Sequence, residues 1–332
     1  MSGRRVAVVT GGTAGVGRAV VRELAAHGWD VAVVARGPAG LEGAVRDVEA
    51  AGGRGVGLPT DVADLDQVRT AAERAAMELG PIELWVNDAF SGNLRYFWDT
   101  PPDEYRRITE VTYLGQVHGT RVALEHMRPR NRGVIVQVGS ALAFRGIPLQ
   151  SAYCGAKHAV KGFTESVITE LKHERSAVRV SMVHLPGVNT VQFDWNADEF
   201  DEHPRPVAPV FQPELAARAV RFLADHPRRT LWVGYSTAYT ILGNRLAPWF
   251  LDWYLARKGV QGQLTDAAGP RYGSNVFTPR DADTDRGAHG MFDDRAHRRD
   301  PWSWVAMHRA ALTAGAAVAA AAALVAARRR PR

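Results

Sequence analysis

A regular alternation of short apolar runs with helical-period segments constrains the fold of this chain more than any other feature of its sequence. The runs are rich in β-branched residues, and the segments between them are rich in Ala, Val, Leu, Arg and Glu. Strands that alternate with helices predict an α/β fold of the Rossmann type, a doubly wound parallel sheet covered on both faces. The ligand crevice of such a sheet lies at the carboxyl ends of its strands. The predicted strands are residues 5–10, 31–35, 55–59, 84–86, 134–138, 178–185 and 231–233.

The first predicted strand continues directly into a glycine-rich segment, Gly11-Gly-Thr-Ala-Gly15-Val-Gly17. A strand that turns through glycines into a helix is the setting in which such a motif binds a nucleotide, because the backbone can approach a pyrophosphate at the helix N-terminus. An isolated motif of this kind could be an ordinary turn, but its place in a repeating β-α pattern favours nucleotide binding. The expected cofactor contacts in this segment are Thr10, Gly11, Thr13, Gly15, Val16 and Gly17.

Three residues in the middle of the chain have a spacing suited to carbonyl chemistry. Tyr153 and Lys157 are four positions apart, which places both side chains on one face of a helix. A nearby ammonium lowers the pKa of a phenol from its usual value of about 10. Such a phenol can give a proton to a carbonyl oxygen, or take one from an alcohol, in concert with hydride transfer. Ser140, thirteen residues before Tyr153, is expected to hydrogen-bond the same oxygen.

Taken together, these motifs resemble those of the short-chain dehydrogenases/reductases over roughly residues 4–235. The resemblance implies a single domain with about seven strands. It also implies that Asp61 and Val62 flank the adenine, that Asn87 supports the central strand near the cofactor, and that Lys157 holds the nicotinamide ribose. The matching motifs are Thr10-Gly-x-x-x-Gly15-x-Gly17, Asp61-Val62, Asn87-x-Ala89, Ser140, Tyr153-x-x-x-Lys157 and Pro186-Gly187-Val188 with Thr190, and all of these except Ser140 are expected to contact the cofactor.

The chain departs from the family pattern at three places. Asp88 and Phe90 stand where members usually carry a second Asn and a Gly. Thr112 stands where the family usually places the asparagine of its catalytic tetrad, and a threonine hydroxyl, with its shorter reach, replaces that group only in part. The last motif is one residue shorter than usual. Thr112 is therefore a fourth candidate catalytic residue, and Thr190 is the expected partner of the nicotinamide carboxamide.

The end of the second predicted strand indicates which cofactor the chain uses. An acidic residue there, some 20 positions after the glycines, binds the ribose 2′-hydroxyl and selects NAD. This chain has Val34-Ala35-Arg36 instead, which removes the repulsion against a 2′-phosphate and offers it a bidentate partner. We therefore expect NADP(H); the alternative is that Arg36 is a solvated surface residue.

Apolar and aromatic residues around the predicted site indicate a lipophilic substrate. Phe193 and Trp195 follow the last motif and are expected to form a lid over the nicotinamide. With Phe90, Phe144 and Leu149 they predict a pocket suited to a lipophilic ketone, aldehyde or secondary alcohol. The alternative is that these aromatic side chains pack the loop onto the body of the protein.

The functional hypothesis is therefore an NADP(H)-dependent carbonyl reductase or alcohol dehydrogenase that acts on CH–OH and carbonyl groups. The rival hypothesis is an NADP(H)-binding sensor or scaffold with little turnover, and it is motivated by Thr112 and the shortened last motif. Family resemblance makes a homo-oligomer compatible with either function.

Composition restricts the partners and the compartment. Half of the formal net charge of +6 lies in the last 52 residues, and no nucleic-acid-binding motif is present, so no nucleic-acid partner is expected. The 11 histidines show no metal-ligand spacing, so no metal is expected. The single cysteine, Cys154, excludes an internal disulfide and fits a reducing compartment. The chain opens without a signal peptide, and a cytoplasmic location is expected.

The C-terminal third divides by composition. Residues 1–240 form the predicted dehydrogenase domain, and residues 241–261 an aromatic helix that packs on it or touches a membrane surface. Residues 262–300, rich in Gly, Asp, Arg and Pro, are predicted to be a flexible linker. Residues 301–332 form an Ala-rich helix with a basic end. Its uncharged stretch, residues 310–327, is a possible membrane anchor, and the alternative is an Ala-rich helix in solution.

Overall fold

The computed structural model describes residues 3–309, and its centre is one sheet of seven parallel strands. The strands lie in the order β7-β6-β5-β4-β1-β2-β3, so the chain reverses its direction across the sheet at β1, and the predicted doubly wound fold is confirmed. In such a sheet the ligand crevice lies beyond the carboxyl ends of the strands at that reversal. The strands are β1 (Arg5–Thr10), β2 (Trp29–Ala35), β3 (Gly55–Pro59), β4 (Ile82–Asn87), β5 (Val134–Ser140), β6 (Arg179–Leu185) and β7 (Thr230–Trp232).

Helices cover both faces of the sheet, as the alternating pattern predicts. Ala7 and Val9 of β1 face a core formed with α1, α2 and α7, whereas Val6 and Val8 face the core of α3, α5 and α6. Because both faces are buried, the strands are apolar throughout rather than alternating with polar residues. The helices are α1 (Gly15–Ala26), α2 (Pro38–Ala50), α3 (Leu65–Leu79), α4 (Pro102–Thr109), α5 (Gly115–Met127), α6 (Ser151–His173), α7 (Pro213–Asp225), α8 (Tyr235–Leu246) and α9 (Pro248–Lys258).

The segment after α9 carries little regular structure up to residue 300, and residues 301–309 are helical. It nevertheless lies against the domain through specific contacts. Residues 274–293, which we call the C-terminal strap, run past the N-termini of α2 and α1 and reach the loop after β6. The segment boundaries drawn from composition stay a prediction.

Arg18 of α1 holds the strap with a buried ion pair. Its guanidinium donates to both carboxylate oxygens of Asp285, at 2.8 and 3.0 Å, and its Nε donates to Asp47 of α2 at 2.6 Å. The Arg18 side chain is only 2% exposed, so these carboxylates compensate a charge that water does not reach.

The part of the chain predicted as a membrane anchor, residues 310–327, lies outside the described residues. Within residues 3–309, no helix combines the length and the apolar character needed to cross a bilayer.

Replacing Asp285 with Ala should lower the free energy of unfolding by about 1–3 kcal/mol, because two N–H groups of the buried Arg18 lose their acceptor. Urea unfolding followed by tryptophan fluorescence measures the change. The exposed Asp283 of the same segment provides the control, and its change to Ala should stay within about 0.5 kcal/mol. Equal losses in the two variants would contradict the role given to the ion pair.

The same ion pair predicts a pH dependence. Burial acts to raise the pKa of Asp285, but the hydrogen bonds and charge of Arg18 outweigh it and hold the pKa below its ordinary value. Stability from this carboxylate is therefore present above its unfolded-state pKa, about 3.9, and is lost as the pH falls through the lower folded value. The acid loss of stability should be smaller in Asp285→Ala than in the unaltered chain.

Candidate active site

Ser140, Tyr153 and Lys157 lie together at the carboxyl ends of the strands. Ser140 is the last residue of β5, and the other two lie in the first turns of α6. The Ser140 hydroxyl accepts a hydrogen bond from the Leu142 N–H at 3.1 Å and lies near enough to the Tyr153 phenol to lower its pKa. The Lys157 ammonium donates to the Val138 carbonyl at 2.8 Å. All three residues line one cavity of about 650 Å³.

Burial dominates the electrostatics of these groups. It raises the pKa of the Tyr153 phenol above its ordinary value, and the neighbouring Ser140 hydroxyl offsets only part of that effect. Burial also lowers the pKa of Lys157, while the negative charge of Asp88 acts in the opposite direction. Burial of the phenol therefore acts against the lowered pKa expected for Tyr153, and that expectation stays a prediction.

Asp88, which the sequence marked only as a departure from the family pattern, is part of the charge balance of the site. Its side chain is buried just after the end of β4, with its carboxylate next to Gly17 of α1. Burial raises the pKa of this carboxyl, and the Lys157 charge acts to lower it. Asp88 and Lys157 thus form a buried pair in which each group favours the charged form of the other.

Phe90 packs against Tyr153 and Lys157. Its ring meets the Tyr153 ring edge to face, with centroids 5.8 Å apart, and the Lys157 ammonium lies 5.7 Å from its centroid. An aromatic ring at this position therefore restricts the orientation of the phenol and gives the ammonium a favourable face.

The glycine-rich turn after β1 leaves open space that any side chain larger than glycine would occupy. Gly11 and Gly15 have positive φ, +71° and +55°, which other residues rarely adopt. A Cβ at Gly11 would lie 2.8 Å from the Ala89 Cα, and one at Gly17 would lie 2.8 Å from an Asp88 carboxylate oxygen. The N-terminus of α1 has no side-chain cap, and the Gly15 N–H donates to the Gly287 carbonyl at 3.1 Å, so the next N–H groups of the first turn are those that can meet an anion. These residues fit a dinucleotide.

Most residues predicted from the sequence line the cavity. They are Gly11, Thr13, Gly15, Val16, Arg36, Asp61, Val62, Ala89, Phe90, Ser140, Tyr153, Lys157, Pro186, Gly187, Val188, Thr190, Phe193 and Trp195.

Thr10 and Asn87 hold the strand ends that carry the site. The Thr10 hydroxyl accepts hydrogen bonds from the backbone N–H groups of Asp88 and Ala89, at 3.1 and 3.2 Å. The Asn87 amide donates to Gln137 at 2.9 Å and accepts from the Trp85 indole at 2.8 Å. These bonds join β1, β4 and β5 at their carboxyl ends.

Thr112 lies in a single π-helical turn, Glu110–Leu114, and is fully buried. Its hydroxyl donates to the Ser91 carbonyl at 2.8 Å and accepts from the Ser91 N–H at 2.9 Å. It is not among the residues that line the cavity as the described chain forms it. These contacts support a positioning role, holding the loop that carries Asp88 and Phe90, in place of the predicted catalytic role.

Two predicted substrate-pocket residues lie elsewhere. Phe144 packs edge to face on His184, with centroids 4.7 Å apart, and does not line the cavity. Leu149 is buried in a small apolar cluster with Leu94 and Leu264. Both assignments are corrected because residues distant in the sequence, Leu264 for Leu149 and Trp232 for Phe144, draw each side chain away from the cavity.

Sequence reasoning missed two walls of the cavity. Helices α8 and α9 contribute Tyr239, Phe250 and Tyr254, and the C-terminal strap contributes Asn275 and Asp281. The aromatic residues of segment 241–261 could have indicated the wall formed by α8 and α9. The wall formed by the C-terminal strap is revealed only by the contacts of the folded chain.

The strap also engages the residues predicted to meet the adenosine. The Arg36 guanidinium donates to the carbonyls of Asn275 and Phe277, at 2.5 and 3.0 Å. Asp61 forms an ion pair with Arg107, whose Nε donates to the Val276 carbonyl at 3.3 Å. Arg36 is thus a contact residue between the sheet and the strap.

Cys154 has the features of a packing residue. Its thiol is buried, and burial raises its pKa to about 11, so little thiolate forms near neutral pH.

This arrangement of sheet, glycine turn and Ser-Tyr-Lys residues agrees with a comparison against protein families. The short chain dehydrogenase model matches residues 5–200. The chain belongs to the short-chain dehydrogenase/reductase family, as its motifs predicted.

Individual proteins support the same family. Uncharacterized oxidoreductase YxnA of Bacillus subtilis (strain 168) is 28% identical over 288 residues, which cover 86% of this chain and 81% of YxnA. Some other curated relatives match over about half of their own length.

Solved structures share the fold. A short-chain dehydrogenase/reductase from Burkholderia phymatum, in complex with NAD, has a TM-score of 0.66 and 23% identity, covering 80% of this chain and 98% of its own. A metagenomic short-chain oxidoreductase, in complex with NADP, has a TM-score of 0.56 and 26% identity, covering 66% of this chain and 90% of its own. Structures of this fold therefore bind NAD or NADP.

Replacing Asp88 with Asn should lower the pKa of Lys157 further, because the negative charge of the carboxylate acts to raise the pKa of the ammonium. The chain has four lysines, so ¹³Cε-lysine NMR can follow Lys157 across a pH titration. Asp103→Asn, at an exposed position of α4, is the matched control and should leave the titration unchanged. An unchanged or raised pKa in Asp88→Asn would refute the pairing.

Proposed function

We propose that this chain is an NADP(H)-dependent oxidoreductase that interconverts a lipophilic ketone or aldehyde and its alcohol. The observation that carries the proposal is that Ser140, Tyr153 and Lys157 line the same cavity as the glycine-rich turn. A nicotinamide bound there supplies the hydride acceptor or donor for the carbonyl carbon. The residues of the chain supply the proton and the orientation.

The proton step falls to Tyr153. In the reductive direction its phenol gives a proton to the substrate oxygen while Ser140 orients that oxygen by a hydrogen bond. The Lys157 ammonium, buried and bound to the Val138 carbonyl, provides positive charge against the phenolate that forms. Because burial disfavours that phenolate, an oxidised nicotinamide, with its positive charge, would favour it in the alcohol-oxidising direction.

The proposed substrate class follows from the walls at the catalytic end of the cavity. Phe90, Phe193 and Trp195 line it on one side, and Phe250 and Tyr254 of α9 line it on another. Apolar walls around a few convergent polar groups are typical of sites for lipophilic small molecules.

The proposed preference for NADP(H) rests on the end of β2. Ala35 and Arg36 leave no carboxylate on that strand end to repel a 2′-phosphate, and Arg36 lines the cavity. A cytoplasmic location, membrane attachment through residues 301–332 and a homo-oligomer stay predictions.

Tyr153→Phe should lower ketone reduction by NADPH at least 100-fold, because the ring stays while the proton donor is lost. Absorbance at 340 nm across a panel of lipophilic ketones measures turnover, and fluorescence titration measures NADPH binding, which should persist.

Tyr113→Phe is the matched control, since Tyr113 packs on Phe163 and is not a lining residue of the described cavity. Turnover retained in Tyr153→Phe would refute the catalytic role. NADPH binding without turnover in the unaltered chain would favour the sensor or scaffold instead.

A further inference from the structure

The C-terminal strap carries a buried carboxylate into the adenosine end of the cavity. Asp281 is only 6% exposed, and it lines the same cavity as Arg36 and the glycine-rich turn. Its carboxylate lies against Gly37 and Gly40 at the start of α2, where a Cβ at either position would overlap it. Neither glycine has a positive φ, so backbone conformation does not require glycine at these two positions. The space taken by the Asp281 carboxylate does.

Backbone hydrogen bonds fix the strap at this point. The N–H groups of Ala39 and Gly40, in the first turn of α2, donate to the carbonyls of Ala282 and Asp281, at 3.2 and 3.1 Å. Further along, the Gly287 carbonyl accepts from the Gly15 N–H at 3.1 Å. Asp281 is thus held on both sides by contacts with the helices that begin at the cofactor crevice.

The position of Asp281 coincides with the place where this fold distinguishes its two cofactors. The 2′ substituent of the adenosine ribose lies at the end of the second strand, and an acidic side chain there favours a hydroxyl over a phosphate. β2 itself ends in Ala35 and supplies no such acid. The strap places an acidic side chain, Asp281, beside Gly37, just after β2.

We propose that Asp281 is a specificity-determining residue that limits the preference for NADP(H) given by Arg36. This proposal rests on the proposed function, because it assumes that the cleft binds a nicotinamide dinucleotide. The Asp281 carboxylate repels a 2′-phosphate and can accept a hydrogen bond from a 2′-hydroxyl. Arg36 acts in the opposite sense, but its guanidinium is shared with two strap carbonyls. The chain therefore accepts NAD(H) more readily than Arg36 alone predicts.

The test is the ratio of the Kd values for NADH and NADPH, measured by fluorescence titration of the full chain. Asp281→Asn, nearly isosteric, should tighten NADPH binding at least tenfold and leave NADH binding unchanged or weaker. Asp283→Asn makes the same change of charge at an exposed position of the strap and should leave the ratio unchanged. Thermal unfolding checks that both variants fold.

A second variant moves the carboxylate without removing it. Gly37→Ala places a methyl group where the Asp281 carboxylate lies, and the φ of −84° at Gly37 accepts alanine. It should shift the ratio towards NADPH as Asp281→Asn does. Calorimetry with adenosine 2′,5′-bisphosphate and with 5′-AMP should show the same shift, which assigns it to the 2′-phosphate.

The outcomes separate this proposal from the proposed function. Equal changes for both cofactors, or no change for either, would overturn the specificity role while leaving dinucleotide binding intact. Failure of the unaltered chain and every variant to bind NADH or NADPH would overturn the proposed function and this assignment together.

Discussion

The close approach of the glycine-rich turn to the end of β4 is the constraint on which the rest of the site depends. A Cβ at Gly11 would lie 2.8 Å from the Ala89 Cα, so only hydrogen fits between these two segments. The approach lets the Thr10 hydroxyl accept from the backbone N–H groups of Asp88 and Ala89, and it lets the Asp88 carboxylate lie beside Gly17. The turn that shapes the crevice therefore also positions the carboxylate that balances Lys157. The shape of the crevice and the charge next to Lys157 thus depend on one packing contact.

Burial of the site makes the opposite charges of Asp88 and Lys157 depend on each other. In a site from which water is excluded, an ammonium and a phenolate each lose solvation, and the pKa directions of Lys157 and Tyr153 reflect this loss. Asp88 restores part of the preference of Lys157 for its charged form, and the Val138 carbonyl accepts a hydrogen bond from the ammonium. Thr112 contributes indirectly, because its two hydrogen bonds to Ser91 hold the loop that follows β4. The departures at Asp88, Phe90 and Thr112 thus lie on or against the loop that follows β4.

The sequence predicted the features that local patterns encode. Apolar β-branched runs located the strands, and the spacing of Tyr153 and Lys157 placed both on one helical face. It misplaced Phe144 and Leu149, because the direction of a loop side chain depends on partners such as His184 and Leu264 that the pattern around it does not reveal. The strap illustrates the same limit. Its Gly, Asp, Arg and Pro content indicates irregular structure, whereas the buried partner of Asp285 lies 267 positions earlier in the chain.

The strap also shows why a rule read at the end of one strand can be incomplete. Recognition of the 2′ substituent depends on the electrostatic potential at one point in space, and the origin of each charge in the sequence does not affect that potential. Arg36 supplies positive charge from the end of β2, and Asp281 supplies negative charge from the C-terminal strap to the adjoining turn of α2. Both side chains line the same cavity. The cofactor preference is therefore a property of the sheet and the strap together, and a strap contact that shifts by a few ångströms alters it without any change in the Rossmann motif.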